Sequence, residues 1–301
     1  MRIKTGIALG GGGAKGLAHI GVLKVLQEHG IVPDMISGTS IGALIGALYV
    51  LLGDIHAVEE FALGFENSNL YPYLAPRPSS SGLISEKRIR GFLQGLFGNR
   101  RIQDLDRPFY CPACDIRRGR EVMFNRGSLQ QAVRASISVP VIFKPVRLGR
   151  SYLVDGGLIN PVPVDVLKNN GSDFTIAVNV ITARPLRPRR RKKVNAKEKL
   201  LLARLDEFLS RKLLAGHADE EPNVIETFLA TMEIMQEKLI AARLSNDVPD
   251  AIIHIETSDI KMFEFYRPAE IIRRGEQAAR REIETVLKNQ RRCQTAQKKG
   301  G

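Results

Sequence analysis

Residues 3–52 read IKTGIALGGGGAKGLAHIGVLKVLQEHGIVPDMISGTSIGALIGALYVLL, and the alternation of elements in this stretch decides the fold class. Ile3 to Leu9 is a short apolar run that ends in glycines, as a buried strand does. Leu17 to His29 carries apolar residues at helical spacing, and Gly30 follows as a C-terminal stop. Ile31 to Ser37 is again short and strand-like, although Pro33 interrupts it. The chain then turns through Gly38-Thr39-Ser40-Ile41-Gly42 into an apolar helix from Ile41 to Leu52. Strand, helix, strand, helix at this spacing predicts an α/β protein with a parallel sheet and helices packed on its faces.

Further elements follow. Ile84 to Phe97 reads as a helix. Ser128 and Gln131 form a capping box that opens a helix to about Ser136. Val146–Leu148 and Tyr152–Val154 flank a Gly149-Arg150 turn, which is a hairpin signature delivering Asp155-Gly156-Gly157. Phe174 to Val180 and Ala251 to Ile255 read as strands. Long helices are expected over about 198–215 and 223–244, and a charged helix from Pro268 to about Lys288. The Pro- and Ser-rich stretch Asn67 to Gly82 reads as a loop near the mouth of a site. The expected organisation is one domain over 1–290, with a basic loop at about 184–197 and a disordered basic tail over 291–301.

The chain has 301 residues, 44% of them apolar, enough for a sizeable core. The longest apolar run, Ile41 to Leu52, is too short to span a membrane, which takes about 20 residues. Met1 to Thr5 leads straight into the first strand with no secretory pattern, so a cytoplasmic protein is expected. The net charge of +13 is concentrated in Arg184–Lys193 and in the tail at Arg291, Arg292, Lys298 and Lys299. Neither run has interleaved aromatic residues for stacking on bases. Nucleic acid is therefore not the expected partner. Contact of Arg187, Arg189, Arg190, Arg191, Lys192 and Lys193 with an anionic membrane surface is the functional reading of that run, against a solvated loop. Cys111-Pro112-Ala113-Cys114 lacks the second ligand pair that a structural zinc site requires, and it follows a strand-like rather than a helix-opening segment. Two partly buried thiols are expected there, and no metal.

Three motifs carry chemistry. Gly10 to Gly16 contains G-x-G-x-x-G at Gly11, Gly13 and Gly16. Such a loop aims bare N–H groups at a negative charge. A dinucleotide would also need an acidic residue about 20 positions on; Asp34 has the distance but ends no proper strand. Gly38-Thr39-Ser40-Ile41-Gly42 is a G-x-S-x-G elbow, which lifts a serine hydroxyl into the open between strand and helix. The third motif is Asp155-Gly156-Gly157. A serine nucleophile needs a base, and the five histidines (His19, His29, His56, His217 and His254) are poorly placed for it. His254 has the right order after Ser40 and Asp155 but sits within a strand-like run. The remaining arrangement is a Ser40–Asp155 dyad, with stabilisation from the glycine loop.

The order G-G-G-A-K-G, G-T-S-I-G, D-G-G resembles the bacterial cytoplasmic branch of the patatin-like phospholipases. Ala135-Ser136-Ile137-Ser138-Val139-Pro140 and Gly157-Leu158-Ile159-Asn160-Pro161-Val162-Pro163 add to the likeness. The resemblance runs from about Ile7 to about Leu287. It implies a three-layer α/β/α fold with a mainly parallel central sheet and a nucleophile elbow. It also implies hydrolysis of acyl esters of phospholipids, lysophospholipids or related lipids without a cofactor. The alternatives are acyl transfer to an alcohol, which would use the same residues, and a non-enzymatic binder of membrane or nucleic acid through the basic run. Carried over by motif, Ser40 is the nucleophile and Asp155 the base. The amides of Gly11, Gly12 and Gly13 form the oxyanion hole, and Gly16, Gly38, Gly42, Gly156 and Gly157 support the turns. Lys15 stands where the family more often has Arg, which keeps the charge but not the planar fork.

Overall fold

A computed structural model describes residues 3–64, 84–181 and 224–300. The Asn67–Gly82 stretch, the basic run at 184–197 and the helix expected over 198–215 lie outside the described residues.

Eight strands form one sheet: β1 (Thr5–Leu9), β2 (Met35–Gly38), β3 (Phe109–Asp115), β4 (Arg120–Phe124), β5 (Val146–Leu148), β6 (Ser151–Asp155), β7 (Phe174–Asn179) and β8 (Ala251–His254). Their order is β5-β6-β3-β2-β1-β7-β8, with β4 pairing on β3. β3, β2, β1, β7 and β8 run parallel, and β4, β5 and β6 are antiparallel additions around β3. The helices are α1 (Ala18–Glu28), α2 (Ile41–Leu52), α3 (Ile55–Leu63), α4 (Glu86–Phe97), α5 (Leu129–Ser136), α6 (Val164–Asn169), α7 (Val224–Asn246) and α8 (Pro268–Gly300). Ser128 caps α5 as the sequence predicts, its hydroxyl accepting from Gln131 N at 3.3 Å.

The three layers follow from strand periodicity. Successive residues of a strand face opposite sides. Ile7, Leu9, Ile36, Phe174, Ile176 and Val178 join the large core beneath α1, α2 and α8. Ala8, Met35 and Ala177 point the other way, to a smaller core closed by Val164, Val166 and Leu167 of α6 and Ile240 of α7. Cys111 and Cys114 are three residues apart on β3 and so face opposite sides of the sheet. Both are buried, and burial pushes both thiols above their usual range.

Two expectations are corrected. The charged helix does not end near Lys288: α8 continues through Gly300. Nothing before Gly300 breaks a helix, and Cys293 holds the segment down by packing on the main core and donating to the Asp173 carbonyl at 3.2 Å. His254 is the exposed last residue of β8 rather than an interior strand residue.

Helices α1 and α8 cross in near-backbone contact. A side chain at Gly21 would collide with the Ile272 carbonyl, and one at Gly275 with the Ala18 carbonyl. Gly95, on α4, has open space around it. Gly275→Ala is therefore expected to destabilise the protein by about 1–3 kcal/mol, whereas Gly95→Ala should be neutral or stabilising by up to about 1 kcal/mol. Urea unfolding of the two variants checks both signs.

Candidate active site

The glycine loop leaves the carboxyl end of β1, and Ser40 follows the carboxyl end of β2. Crevices at that edge of an open sheet are where such folds bind ligands. The two turns lie in direct contact. A side chain at Gly42 would strike the Leu9 and Gly10 carbonyls, and one at Gly38 would strike the Gly42 carbonyl. A Cβ at Gly16 would overlap Ile41. Gly38 and Gly42 are glycine because backbone passes where a side chain would be, and Gly16 because the Ile41 side chain does.

Ser40 has φ 55° and ψ −121°, a left-handed conformation uncommon outside glycine. Neighbouring bonds hold it there. Thr39 N donates to the Leu9 carbonyl at 3.0 Å, and Ser40 N donates to the Ser136 hydroxyl at 3.0 Å. The Ser40 carbonyl accepts from Ala43 N and Leu44 N, so the residue also opens α2.

Asp155 reaches this point through the register of the sheet. Ser37 pairs with Tyr110, so β3 extends beyond the end of β2. β6 returns antiparallel along that extension and ends at Asp155, opposite Ala113. The Asp155 amide donates to the Ser138 carbonyl at 2.9 Å. Its Oδ1 accepts from Gly157 N at 2.7 Å, while Oδ2 is buried without a hydrogen-bond partner. Burial raises the carboxyl's pKa to about 6; the Ser40 hydroxyl and the Gly157 amide pull it the other way. The hydroxyl is thus near enough to act on the carboxylate, although no hydrogen bond of ordinary geometry joins the two in this resting state. Ser40 is 7% exposed and Asp155 2%.

The segment after Asp155 fastens the two halves together with three carbonyls. Asn160 O accepts from the Thr39 hydroxyl at 2.7 Å, Pro161 O from Gly11 N at 3.0 Å, and Pro163 O from the Ser37 hydroxyl at 2.7 Å. This changes the expected donor set. The Gly11 amide is occupied by Pro161, and Ala14 N donates to Met262 O at 2.8 Å. Among the described residues the amides of Gly12 and Gly13 have no acceptor, and at φ 150° and 60° these glycines bend the loop that at Gly11 lies against Ser40.

Lys15, in the same loop, is 1% exposed and forms an ion pair with Glu233 of α7. Burial lowers its pKa to about 8, against the pull of Asp259, Glu256 and Glu264. The other histidines are accounted for. His19 Nε2 donates to the Gly10 carbonyl at 2.7 Å, and burial lowers its pKa to about 4, so it is a neutral support of the glycine loop. His29 bonds the Val25 carbonyl, and His56 is exposed beside Glu59. Two strands separate β8, with His254, from β2, and His217 lies outside the described residues. Asp34 sits at the amino end of β2, with Oδ2 accepting from Thr5 N at 2.9 Å. That is the edge opposite the glycine loop, so the acid a dinucleotide site requires is not near it. Among the described residues no group of His, Cys, Asp or Glu is arranged to hold a metal, and no helix is long and apolar enough to cross a membrane.

Sequence reading alone missed Ser136, Ser138, Lys15 with Glu233, and the carbonyls of Asn160 to Pro163. Ser136, Ser138 and the Asn160–Pro163 segment fall within stretches that resemble the family. Glu233 lies 218 residues from Lys15 and carries no local signal.

Comparisons with known proteins agree with this architecture. Residues 7–168 match the profile of the patatin-like phospholipases. An uncharacterized NTE family protein of Mycobacterium tuberculosis (strain ATCC 25618 / H37Rv) is 35% identical over 281 residues, covering 91% of this chain and 46% of that protein. The chain thus spans about half the length of this relative. Lysophospholipase nte1 of Aspergillus fumigatus is 37% identical over 180 residues, 58% of this chain and 12% of that protein. Among solved structures, VipD from Legionella pneumophila superposes with a TM-score of 0.50 at 13% identity, covering 95% of this chain and 67% of that one, a likeness of fold.

A carboxyl whose pKa is raised on folding stabilises the fold when protonated. That advantage is complete below about pH 4 and is lost as pH rises through about 6. Asp155→Asn, which does not ionise, should therefore gain stability over the parent protein as pH passes 6, by about 1–3 kcal/mol near neutrality. Thermal melts at pH 4 and pH 7.5 read the difference; an equal gap at both values would contradict it.

Proposed function

Because the chain belongs to the patatin-like phospholipase family, we propose that it is a lipid acyl hydrolase in which Ser40 is the nucleophile and Asp155 the general base. The observation that carries the reading is the pair itself: a hydroxyl on a strained turn beside a buried carboxylate with an unpartnered oxygen. A carboxylate is ordinarily too weak a base for a serine. Raising its pKa to about 6 strengthens it while leaving it ionised at neutral pH.

The reaction has two halves. As Ser40 Oγ bonds to the ester carbonyl carbon, its proton passes to Asp155. Negative charge grows on the carbonyl oxygen, and the Gly12 and Gly13 amides stabilise it; one such donor is typically worth about 10²- to 10³-fold. Collapse of the intermediate breaks the bond to the alcohol oxygen, which takes the proton from Asp155 and leaves an acyl-enzyme. Water then attacks the acyl carbon, gives its proton to Asp155, and releases the fatty acid as Ser40 Oγ is protonated again. Acyl esters of phospholipids or lysophospholipids are the substrate class, supported by the family and by the activity named for the fungal relative.

Ser40→Ala and Asp155→Asn are each expected to lower turnover of a short-chain nitrophenyl ester by at least about 10³-fold. A fluorophosphonate should label Ser40 covalently, as mass spectrometry of the peptide would report. Near-full turnover by either folded variant would overturn the dyad. In the parent enzyme kcat/KM should fall about tenfold per pH unit below an apparent pKa near 6, because protonation removes the base.

A further inference from the structure

Helix α7 lies across the catalytic elements and is fastened at two points. Near its middle Glu233 pairs with Lys15 of the glycine loop. Toward its end Arg243 reaches Asp165 at 3.4 Å and Glu121 at 3.7 Å. Those two carboxylates also hold the Asn160 side-chain amide, at 2.8 and 3.1 Å. Along this stretch the helix buries Met232, Gln236 and Ile240, one residue per turn.

The middle residue does not suit a packing role. Gln236 is 9% exposed and makes no hydrogen bond among the described residues. Its position is specific. The Gln236 amide nitrogen packs directly over Gly157, where any side chain would collide with it, and that same point is 2.9 Å from Asp155 Oδ1. The second glycine of Asp155-Gly156-Gly157 thus lets an amide from α7 approach the dyad carboxylate. The other oxygen of that carboxylate, Oδ2, is itself buried and unpartnered. Gln236 thus brings an amide donor beside the Asp155 turn, and the carboxylate there keeps one oxygen unpartnered.

We propose that Gln236 holds the water that hydrolyses the acyl-enzyme; the inference rests on the Ser40–Asp155 reading above. The amide fixes the water by a hydrogen bond and leaves one of its protons directed at Asp155. The water oxygen bonds to the acyl carbon as that proton passes to the carboxylate. The bond from the acyl carbon to Ser40 Oγ then breaks, and Oγ takes the proton back. The first half-reaction, in which the nucleophile is Ser40 itself, does not use this water.

The test separates the two half-reactions. With a short-chain nitrophenyl ester, stopped-flow burst kinetics give acylation and deacylation rates, and intact-mass measurement gives acyl adduct on Ser40. Gln236→Met keeps the volume and removes the amide. It is expected to retain the acylation rate within about twofold and to slow deacylation by about tenfold or more, with adduct accumulating. Deacylation within twofold of the parent, or an equal slowing of both steps, overturns the proposal. If the Met variant does not fold, Gln236→Glu carries the test. Its carboxylate beside Asp155 should move the acidic limb of the deacylation pH profile upward, and an unmoved limb overturns the proposal. Near-full ester turnover by folded Ser40→Ala overturns the dyad and this inference together, a result distinct from failure of the Gln236 variants alone.

Discussion

The site depends first on how closely the backbone after β2 approaches the backbone after β1. Gly42 lies against the carbonyls of Leu9 and Gly10, and Thr39 N reaches the Leu9 carbonyl at 3.0 Å. No side chain fits between these turns. With that contact made, Ser40 is held at positive φ, α2 leaves the edge of the sheet, and the glycine loop comes beside the serine. The Thr39, Gly11 and Ser37 donors then find the carbonyls of Asn160, Pro161 and Pro163. The elbow and the segment after Asp155 are in this way parts of one hydrogen-bonded unit.

The same unit stores local unfavourable energy. Ser40 occupies a strained backbone conformation, and Asp155 is a buried carboxylate with one oxygen unpartnered. Sites that break local rules in this way persist only where the surroundings over-determine them, and they concentrate where chemistry is done. The rest of the molecule supplies the determination. A buried Lys15 is paired across to α7, His19 supports the Gly10 carbonyl, and Ser136 holds the Ser40 amide. These contacts leave Ser40 and Asp155 little freedom to relax.

Helix α7 connects this apparatus to the other face of the sheet. Ile240 belongs to the smaller core, while Glu233 and Gln236 meet the glycine loop and the Asp155 turn. A movement of α7 would therefore be felt at the glycine loop, at Asp155 and at the Asn160 network together. The antiparallel addition of β4 and β6 to β3 has a comparable integrating role. A purely parallel sheet would end at the level of Gly38; the return strand β6 brings Asp155 back to the height of Ser40.

Residues 3–52 by themselves determined the order of the first elements, the glycine-rich turn and the elbow, because strand and helix periodicities and the steric demand for glycine are local properties. The Ile41–Leu52 helix and the Ser128 cap are found where the sequence puts them. The candidate pair Ser40 and Asp155 was legible from motifs and from the poor placement of the histidines. Other features were decided only by tertiary structure. Asp34 has the spacing of a ribose ligand, yet the register of β2 against β1 puts it at the opposite edge. Gly11 carries an amide like its neighbours, but a carbonyl 150 residues away takes it. The tail has the composition of a solvated segment and is nonetheless helical, anchored by one thiol at Asp173. The raised pKa of Asp155, the partner of Lys15 and the approach of Gln236 depend on burial and on contacts across most of the chain. Local sequence encodes which conformations are allowed; which donors stay free and which charges are desolvated is settled only when distant segments pack.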